Sequence, residues 1–492
     1  MSDKITPESA ELKKPPVVAD DKLPRSVKAI LLILLFAALV MILNETTLSV
    51  ALPAMMADYA ITAATAQWLL TGFMLTLAVV MPTTGWMLER FSTRSVFIFA
   101  VAAFLIGTII AALAPSFPVL LAARVAQALG TAIIMPLLMT VAMTLIPFHK
   151  RGTVMGLIAV VMAAGPALGP GLAGLILSFT SWHGIFWFMV PFVALAGVIG
   201  AAKLTNIGQQ RKAPLDVLSV LLSVVAFGGL VYGLSSIAVI LEGGQAAQIA
   251  LLILIAGVVG LGFFVWRQVV LGRSDRALLD LRPMTVPNFT FSLLVLMVLM
   301  AAMLGVLNTL PLYLQGSLLA TALVSGLALL PGGLLEGALS PVFGRIYDRY
   351  GPRPLLFPGM AVVTGGIFWL ATVDEHTSVG TVVAIHVFFS IGLAGLFSPL
   401  MTTALSSLPS ELYGHGSAIL NTLQQLAGAA GTAIMLTVFS NVSAQTQAAG
   451  APETVAIADG ANSAFLATGF LVLVALVLSL FIKRIPSEPA NN

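Results

Sequence analysis

The sequence contains no cysteine and very few charged residues. Its 492 residues are 59% hydrophobic and only 9% charged, with a mean hydropathy of +1.04. A soluble domain is about a quarter charged, so this composition excludes a soluble protein and predicts an all-α polytopic membrane protein. The absence of cysteine also excludes disulfide bonds and thiolate metal sites.

The sequence also lacks the motifs of ATP-driven transport and of metal enzymes. It contains no G-x-x-x-x-G-K-[ST], which would cradle nucleotide phosphates, and no H-E-x-x-H or paired His/Asp spacing for a metal. No polar segment is long enough to hold a soluble active site. We therefore expect no enzyme activity, no cofactor, no metal ion and no nucleic-acid partner.

Long apolar segments occupy most of the chain. A helix needs about 20 apolar residues to cross the hydrocarbon core of a bilayer, and charges, Pro/Gly pairs and polar clusters delimit fourteen such segments. The predicted spans are 27–52, 65–88, 95–114, 117–143, 152–179, 182–202, 215–238, 248–271, 288–314, 320–344, 353–373, 378–405, 416–441 and 462–483.

The distribution of basic residues orients these spans. Cytoplasmic loops of membrane proteins are enriched in Lys and Arg. With the N-terminus inside, 22 of the 23 basic residues fall in the predicted inner segments and the predicted outer loops contain none. Both termini are therefore predicted to be cytoplasmic. The remaining basic residue, Arg124, lies within the fourth span.

A ten-residue pattern occurs twice, after the second and after the tenth span. Glycine, acid, arginine, aromatic residue and second arginine recur at the same spacing, 259 residues apart. The shared residues are Gly85, Glu89, Arg90 and Arg94 in the first copy and Gly344, Asp348, Arg349 and Arg353 in the second. We interpret both copies as tight inner loops that switch conformation, because an acid can bond a neighbouring helix end in one state and release it in another. The alternative is a basic anchor at the inner membrane surface.

The repeat predicts the domain organisation. Spans 1–6 and spans 9–14 form two parallel six-helix units, and spans 7 and 8 are an inserted pair. The predicted parts are a disordered tail at 1–24, a first bundle at 25–204, a linker helix pair at 205–283, a second bundle at 284–484 and a tail at 485–492.

With these motifs, the chain resembles the major facilitator superfamily, and within it the fourteen-helix drug:proton antiporters of bacteria. The resemblance covers residues 25–484. It implies a major facilitator fold, with two six-helix bundles around a central cavity that opens alternately to each side and two additional helices outside them. It also implies a monomer in the bacterial cell membrane, with the lipid bilayer, small-molecule substrates and protons as its partners and the proton gradient as its energy source.

The fourth span contains Leu121-Ala-Ala-Arg124-Val-Ala-Gln127-Ala-Leu-Gly130, which resembles the family's motif R-x-x-Q-G-x-G with Ala128 in place of the first glycine. A charged residue at the centre of a span costs about 2.5–3.5 kcal/mol on insertion scales. Arg124 is therefore expected to have a partner or a wet cavity and to take part in charge coupling. The alternative is a structural arginine bonded to backbone carbonyl groups.

The fifth span is rich in glycine and proline between residues 165 and 174. This stretch resembles the family's antiporter motif, which is associated with export rather than uptake. Its motif residues are Gly165, Pro166, Gly169, Pro170 and Gly174. The alternative is a packing face of small residues, because such residues let membrane helices approach closely.

Two carboxylates, Glu45 and Glu336, lie inside predicted spans. At a rise of 1.5 Å per residue, Glu45 and Arg124 both lie roughly 10–12 Å from the outer side, and we predict that they interact directly or through water. Glu336 lies roughly 12 Å from the inner side and is a second proton site, a cation-binding group or a structural acid.

The position of Glu45 leaves one question open. In the resembled family, the acid of this motif occupies the position of Asn44, so the carboxylate here is rotated by roughly 100° around the helix. Either Glu45 reaches Arg124 from this face, or Asn44 faces the cavity and Glu336 carries the proton. Amide side chains are candidates for lining the cavity, or for joining helices. These are Asn44, Gln127, Asn421 and Gln424.

The predicted function is therefore a proton-coupled multidrug efflux antiporter for amphipathic and cationic small molecules. One alternative is a proton-coupled transporter dedicated to a single lipid, peptide or metabolite. The other, from a different class, is a membrane receptor that does not transport.

Overall fold

The computed structural model describes residues 23–206, 214–274 and 276–484. In these ranges, fourteen helices are long and apolar enough to cross a membrane, and no strand occurs. The helices are α1 (Arg25–Tyr59), α2 (Ala63–Arg90), α3 (Thr93–Ala112), α4 (Phe117–Leu145), α5 (Arg151–Leu177), α6 (His183–Lys203), α7 (Val217–Ser235), α8 (Gly244–Gly272), α9 (Pro287–Gly316), α10 (Ala322–Tyr350), α11 (Arg353–Leu370), α12 (Val379–Ser406), α13 (Tyr413–Ala448) and α14 (Glu453–Ser479). The predicted all-α class and the number of spans are confirmed.

Shorter elements fill some of the connections. A π-turn, Val224–Gly228, lies inside α7, and a short helix, Ile237–Glu242, follows it. Three 3₁₀ turns occupy Phe148–Lys150, Arg282–Thr285 and Ser410–Leu412. The predicted C-terminal tail and nearly all of the predicted N-terminal tail lie outside the described residues, as do residues 207–213 of the predicted linker.

Side chains at the helix starts satisfy backbone N–H groups that have no partner inside the helix. Thr62, Ser92, Thr321 and Ser378 each accept a hydrogen bond from the backbone N–H three residues further on. Hydroxyl residues are favoured at this position for that reason. At its other end, α10 stops at Gly351, whose φ of 79° is readily adopted only by glycine.

Both copies of the repeated pattern were predicted to be loops, and that part of the interpretation differs from the structure. Gly85 to Arg90 form the last turns of α2, and Gly344 to Arg349 form the last turns of α10. Nothing between the glycine and the arginine breaks the helix, since the cap signals come later, at Ser92 and Gly351. The two acids are therefore held on rigid helix ends.

The same helix pairs pack together within the first six helices and within the last six. In the first set, α1 packs on α5 and α6, α3 on α4 and α6, and α2 on α4. In the second set, the equivalent pairs are α9 with α13 and α14, α11 with α12 and α14, and α10 with α12. Two further pairs, α5 with α10 and α2 with α13, join the sets and are related by the same correspondence.

One end of the molecule carries most of the basic side chains, and we call it the basic end. It includes the C-terminal ends of α2 and α10, the N-terminal ends of α5 and α13, and residues 273–274 and 276–286 after α8. Contacts of Asp348 with Gly152, of Glu89 with His415 and of Asp280 with His415 place these chain segments together. We call the opposite end, with Asp58 and Asp374, the acidic end.

Among the described helices, α7 and α8 pack on one side of the molecule, against α2 and α13. The two helices pack on each other through glycines, with Gly229 of α7 against Gly257 of α8. The π-turn within α7 contacts α2, and the later part of α7 contacts α2 and α13. The pair therefore flanks the α2–α13 junction between the two sets.

Candidate functional site

Arg124 is the centre of a buried polar cluster near the acidic end. Its side chain is fully buried on α4, and Nη1 donates hydrogen bonds of 2.8 Å to Oδ1 of Asn44 and to Oε1 of Gln127. The guanidinium carbon lies 4.1 Å from the centre of the Phe73 ring, within the range of a cation–π interaction. Its Nε also donates a 3.5 Å hydrogen bond to the carbonyl oxygen of Leu69, so Arg124 has two amides, an aromatic ring and one backbone carbonyl as partners.

The cluster extends from Gln127 towards α3. Nε2 of Gln127 donates a 3.0 Å hydrogen bond to Oγ1 of Thr108. The helices α3 and α4 approach closely beside it, because a Cβ at Gly130 would lie 2.8 Å from Cβ of Phe104. Gly130 of the arginine motif thus permits the contact that holds Gln127 in place.

Two donors in the cluster have spare hydrogen-bonding capacity. Nη2 of Arg124 and Nδ2 of Asn44 are buried and bond to no group in the part of the chain that the structure describes. A buried donor without a partner costs free energy, so both atoms are suited to binding a water molecule or a polar group of a ligand.

Glu45 lies next to this cluster and makes no direct bond to it. The carboxyl is half-buried and interacts with Arg124 through its charge, but no hydrogen bond or ion pair joins the two among the described residues. The residue that bonds Arg124 is Asn44, which precedes Glu45 and points about 100° away around α1.

The small residues of the fifth span form a tight contact between α5 and α1. A Cβ at Gly165 would collide with Ile42, and one at Gly169 would collide with Thr46. Oγ1 of Thr46 donates a 2.9 Å hydrogen bond to the carbonyl oxygen of Gly165. These contacts flank Glu45 on the adjacent turns of α1.

The remaining residues of the antiporter motif are two prolines inside the helix and a glycine, Gly174, without close neighbours. Pro166 and Pro170 lie inside a continuous helix, which is tolerated in membrane helices where neighbours satisfy the freed backbone groups. A Cβ at Gly174 would meet nothing within 4 Å, so this glycine makes no close contact with the described residues.

Glu336 lies on the opposite side of α5. A Cβ at Gly333 of α10 would lie 2.9 Å from Cβ of Ala167, and one at Gly337 would lie 3.9 Å from Cβ of Ala163. The half-buried Glu336 lies between these two glycines along α10, and its carboxyl has no hydrogen bond within the described ranges. Residues 163 and 167 are offset by two positions from 165 and 169, or about 200° around the helix. Thus α5 separates Glu45 from Glu336.

At the basic end, Asp348 binds the start of α5. Its Oδ1 accepts a 2.7 Å hydrogen bond from the N–H of Gly152, and its Oδ2 accepts bonds of 2.8 and 2.6 Å from the N–H and hydroxyl of Thr153. A carboxylate at a helix N-terminus is stabilised by the free N–H groups and the helix dipole. We call this contact the Asp348 latch.

Glu89, the equivalent acid of the first copy, binds the start of α13. Its Oε1 lies 3.1 Å from Nε2 of His415, and a Cβ at Gly85 would collide with the same imidazole ring. We call this contact the Glu89 latch. The sequence analysis did not identify His415. The signal was available, because the first three residues of α5, Arg151-Gly-Thr153, correspond to Tyr413-Gly-His415 at the start of α13.

The arginines of the repeated pattern make fewer contacts than the acids. Arg94, Arg349 and Arg353 are exposed and Arg90 is half-buried. None of the four forms an ion pair with another described residue. The guanidinium of Arg349 lies 5.3 Å from the centre of the Tyr350 ring.

The two amide residues of α13, Asn421 and Gln424, differ in their contacts. Nδ2 of Asn421 lies 3.2 Å from the sulfur of Met139 on α4 and donates a 2.8 Å hydrogen bond to the carbonyl oxygen of Ser417. Gln424, one turn further, is buried, and neither end of its amide has a partner in the described part of the protein. Gln424 is therefore the α13 residue best suited to bind a polar group. The described residues contain no group of three His, Asp or Glu side chains arranged to hold a metal ion.

Comparison with known proteins identifies the class. The sequence profile described as Major Facilitator Superfamily matches residues 34–432. The chain belongs to this family of membrane transporters, which is not an enzyme family. This membership confirms the resemblance seen in the sequence.

Two individual relatives show which members of the family this chain is similar to. The chain is 39% identical to the lincomycin resistance protein LmrB of Bacillus subtilis (strain 168), over 93% of this chain and 96% of that protein. It is 29% identical to a multidrug resistance protein B homolog of Mycobacterium tuberculosis (strain ATCC 25618 / H37Rv), over 80% and 72% of the two chains.

A solved structure has the same fold. A double-tryptophan mutant of XylE superposes with a TM-score of 0.66 at 16% identity, over 94% of this chain and 97% of the XylE chain. The human organic anion transporter MFSD10 superposes with a TM-score of 0.62 at 14% identity, over 93% and 100% of the two chains.

Proposed function

We propose that this protein is a proton-coupled multidrug efflux antiporter that exports amphipathic and cationic small molecules by alternating access. The observation that carries the proposal is the position of α5 between two helices that each carry a half-buried carboxyl group, Glu45 on α1 and Glu336 on α10. Both faces of α5 at this level present small residues, so the side chains of α1 and the backbone of α10 pack closely against the helix.

The two carboxyl groups are the proposed proton carriers. No hydrogen bond from a described residue fixes the charge of either group, so each can be ionised or neutral. A change of charge beside a tightly packed helix favours one packing over another, and a ligand shifts a conformational equilibrium by its difference in affinity for the two states. Protons and cationic substrates that prefer different states are thereby coupled.

Arg124 supplies the fixed positive charge of the proposed site. It is held by Asn44 and Gln127 and interacts with Glu45 through its charge. When Glu45 is ionised, the two charges compensate each other in the low-dielectric interior. Protonation of Glu45 leaves the positive charge of Arg124 uncompensated, which favours rearrangement of α1 against α4 and α5.

The two latches are the proposed gate. The Asp348 latch joins α10 to α5, and the Glu89 latch joins α2 to α13. Both connect the first six helices with the last six, which we propose are the two rocking halves, with α7 and α8 as an inserted pair. With both latches closed, substrate has no direct route between the halves at the basic end, and their release opens that end.

Several finer features belong to the same proposal. The basic end faces the cytoplasm of a bacterial cell, the protein acts as a monomer, and the proton gradient drives it without a bound cofactor. The names of the two relatives, lincomycin resistance protein and multidrug resistance protein B homolog, support antibiotics and related amphipathic compounds as the substrates.

Transport in liposomes tests the proposal. The purified protein is reconstituted and assayed for uptake of lincomycin and a panel of amphipathic cations, with and without an imposed proton gradient. We expect gradient-dependent transport of several compounds, and we expect Glu45→Gln to abolish substrate-driven proton movement. Glu411→Gln, at an exposed residue of the basic end, is the matched control and keeps wild-type transport.

The possible outcomes separate the alternatives. Transport of one compound only would indicate a dedicated carrier, and binding without flux would indicate a receptor. Proton movement that survives Glu45→Gln but not Glu336→Gln would assign the coupled proton to Glu336. Survival in both variants would rule out the two carboxyl groups as required carriers.

A further inference from the structure

The two latches differ in the groups that their acids bind, and the repeat does not explain this difference. On one side, Asp348 bonds directly to the backbone and hydroxyl of Gly152 and Thr153. On the other side, the position equivalent to Thr153 is His415, and its ring stands between Glu89 and a third segment of the chain. The inserted pair flanks this side and not the Asp348 side, so the asymmetry of the latches follows the asymmetry of the fold.

Both ring nitrogens of His415 are engaged in the buried site. Nδ1 accepts a 3.2 Å hydrogen bond from the backbone N–H of Asp280, and Nε2 lies 3.1 Å from Oε1 of Glu89. A nitrogen that accepts from a backbone N–H carries no proton, so the proton of the neutral ring lies on Nε2. The Asp280 contact therefore fixes the tautomer that donates to Glu89.

The segment that reaches His415 is held by α8. Three consecutive backbone N–H groups are bonded, those of Leu278 and Leu279 to Oε1 of Gln268, at 2.8 and 3.1 Å, and that of Asp280 to His415. Gln268 is buried near the end of α8. Movement of this residue is thereby transmitted to the N–H group that orients the His415 ring.

The same glutamine is tied to α7. Nε2 of Gln268 donates a 2.8 Å hydrogen bond to Oγ of Ser219, whose hydroxyl donates to Asp216. Asp216 in turn accepts two 2.7 Å hydrogen bonds from Arg267 of α8. Hydrogen bonds from both inserted helices through Gln268 to residues 278 and 279, followed by the backbone to Asp280 and its hydrogen bond to His415, thus connect α7 and α8 with the Glu89 latch.

We propose that His415 is a positioning residue through which the inserted helices α7 and α8 set the strength of the Glu89 latch. When Gln268 holds the 278–280 segment in place, the imidazole presents its Nε2 proton to Glu89 and the basic end stays closed. When the segment is displaced, the ring loses its orientation and the latch weakens. The inserted pair is then a regulatory element of the gate and more than a spacer between the halves.

Spin labels across the basic end measure this effect. The chain has no native cysteine, so cysteines placed at exposed Thr144 and Ser410 are labelled alone, one on each side of the gate. Double electron–electron resonance on the full-length protein in lipid nanodiscs then measures the distances between the two labels, which give the ratio of open to closed populations. Gln268→Leu, which is close in size but cannot accept from the segment, is expected to raise this ratio about two- to tenfold, as the loss of one or two buried hydrogen bonds implies.

Two substitutions at His415 separate its two contacts. An asparagine places its amide near the position of Nδ1 and keeps the Asp280 contact without reaching Glu89. A glutamine places its amide nitrogen near Nε2 and keeps the Glu89 contact without a group for Asp280. We expect His415→Asn to open the gate as much as Glu89→Ala, and His415→Gln to open it only as much as Gln268→Leu.

A double-mutant comparison decides whether His415 transmits the effect. Gln268→Leu added to His415→Asn is expected to cause no further opening, whereas independent effects would multiply. Ser274→Ala is the control within the same region and leaves the ratio unchanged, because among the described residues the Ser274 hydroxyl bonds only to the carbonyl oxygen of Leu271. If Gln268→Leu does not fold, Ser219→Ala replaces it, because it removes the contact that positions Gln268 from α7.

The proposal would be overturned if Gln268→Leu left the ratio of open to closed populations unchanged. It would also be overturned if Gln268→Leu raised this ratio equally in the wild-type background and in His415→Asn. The inference rests on the proposed alternating-access cycle, and the two fail in different ways. If the label distances never show an open basic end, even in Glu89→Ala, the cycle itself is contradicted. If the basic end opens in Glu89→Ala but not in Gln268→Leu, only the role of His415 and the inserted pair is contradicted.

Discussion

Nη1 of Arg124 donates a 2.8 Å hydrogen bond to Oδ1 of Asn44, and the neighbouring Glu45 interacts with the same arginine through charge alone. Asn44 therefore holds the guanidinium in place. No described residue bonds the Glu45 carboxyl, and we propose that this group carries the proton.

The hydrogen bond between Asn44 and Arg124 predicts an effect on the stability of the protein. Asn44→Ala removes a hydrogen bond to a charged group, which contributes about 1.5–3 kcal/mol, and is expected to lower the thermal stability of the detergent-solubilised protein. Asn44→Asp keeps an acceptor at the same position and is expected to retain that stability. Ser49→Ala, at an exposed residue of the same helix, is the control. Equal unfolding temperatures for Asn44→Ala and Ser49→Ala would contradict the assignment.

The close contact between α5 and α1 predicts different results for two glycines of one motif. Gly169→Ala places a methyl group against Thr46 and is expected to cost about 1–3 kcal/mol, the usual effect of overpacking, and to reduce transport. Gly174→Ala meets open space, so it is expected to leave transport intact and to stabilise the helix slightly, because alanine is the better helix former. Thermal unfolding and liposome transport of both variants provide the comparison. Equal losses in both would show that the motif acts through glycine content and not through this contact.

The Asp348 latch predicts a shift of the gate. Asp348→Ala removes three hydrogen bonds from the start of α5 and is expected to raise the open population of the basic end at least tenfold, since hydrogen bonds to charged groups contribute about 1.5–3 kcal/mol each. The spin-label pair at Thr144 and Ser410 measures it. Asp459→Ala, at an exposed acid of the acidic end, serves as the control. A closed basic end in Asp348→Ala would mean that other contacts hold the gate.

The ion pair between Asp216 and Arg267 of the inserted helices predicts a contribution to the stability of the protein that is lost at acidic pH. Hydrogen bonds from Arg267, followed by those from Ser219, outweigh the effect of burial and lower the pKa of Asp216 from 3.8 to about 2. Because the pKa is lower in the folded protein, the ionised carboxylate stabilises the fold fully above the unfolded pKa, and this contribution is lost as the pH falls through about 4 to about 2. Asp216→Asn is therefore expected to lower the unfolding temperature at pH 7 but to make little difference near pH 2. A difference between the two proteins that is independent of pH would contradict the ion-pair assignment, and Glu411→Gln controls for a general loss of negative charge.

Some features of this protein follow from the chain alone. The fourteen spans could be predicted because a membrane helix satisfies its own backbone hydrogen bonds and needs only a sufficient apolar length. The charge of Arg124 inside a span and the equivalent positions of the two acids, Glu89 and Asp348, in an internal repeat are both visible in a single sequence. The partners of these three residues on other helices could not be predicted, because those helices are distant in the sequence.

The sequence by itself determined the class of protein, the number of spans and the residues that carry charge into the membrane. Only the tertiary structure decided that Asn44 and not Glu45 bonds Arg124, that Glu45 and Glu336 flank opposite faces of α5, and that His415 joins the Glu89 latch to the inserted helices. The physical reason is the separation along the sequence between the residues that interact. Hydropathy and helix formation depend on residues that are close in the sequence. The partner of a polar side chain depends on how the packed helices are rotated and spaced relative to each other. Small residues such as Gly165 and Gly333 determine that spacing, but only through contacts with helices from distant parts of the chain.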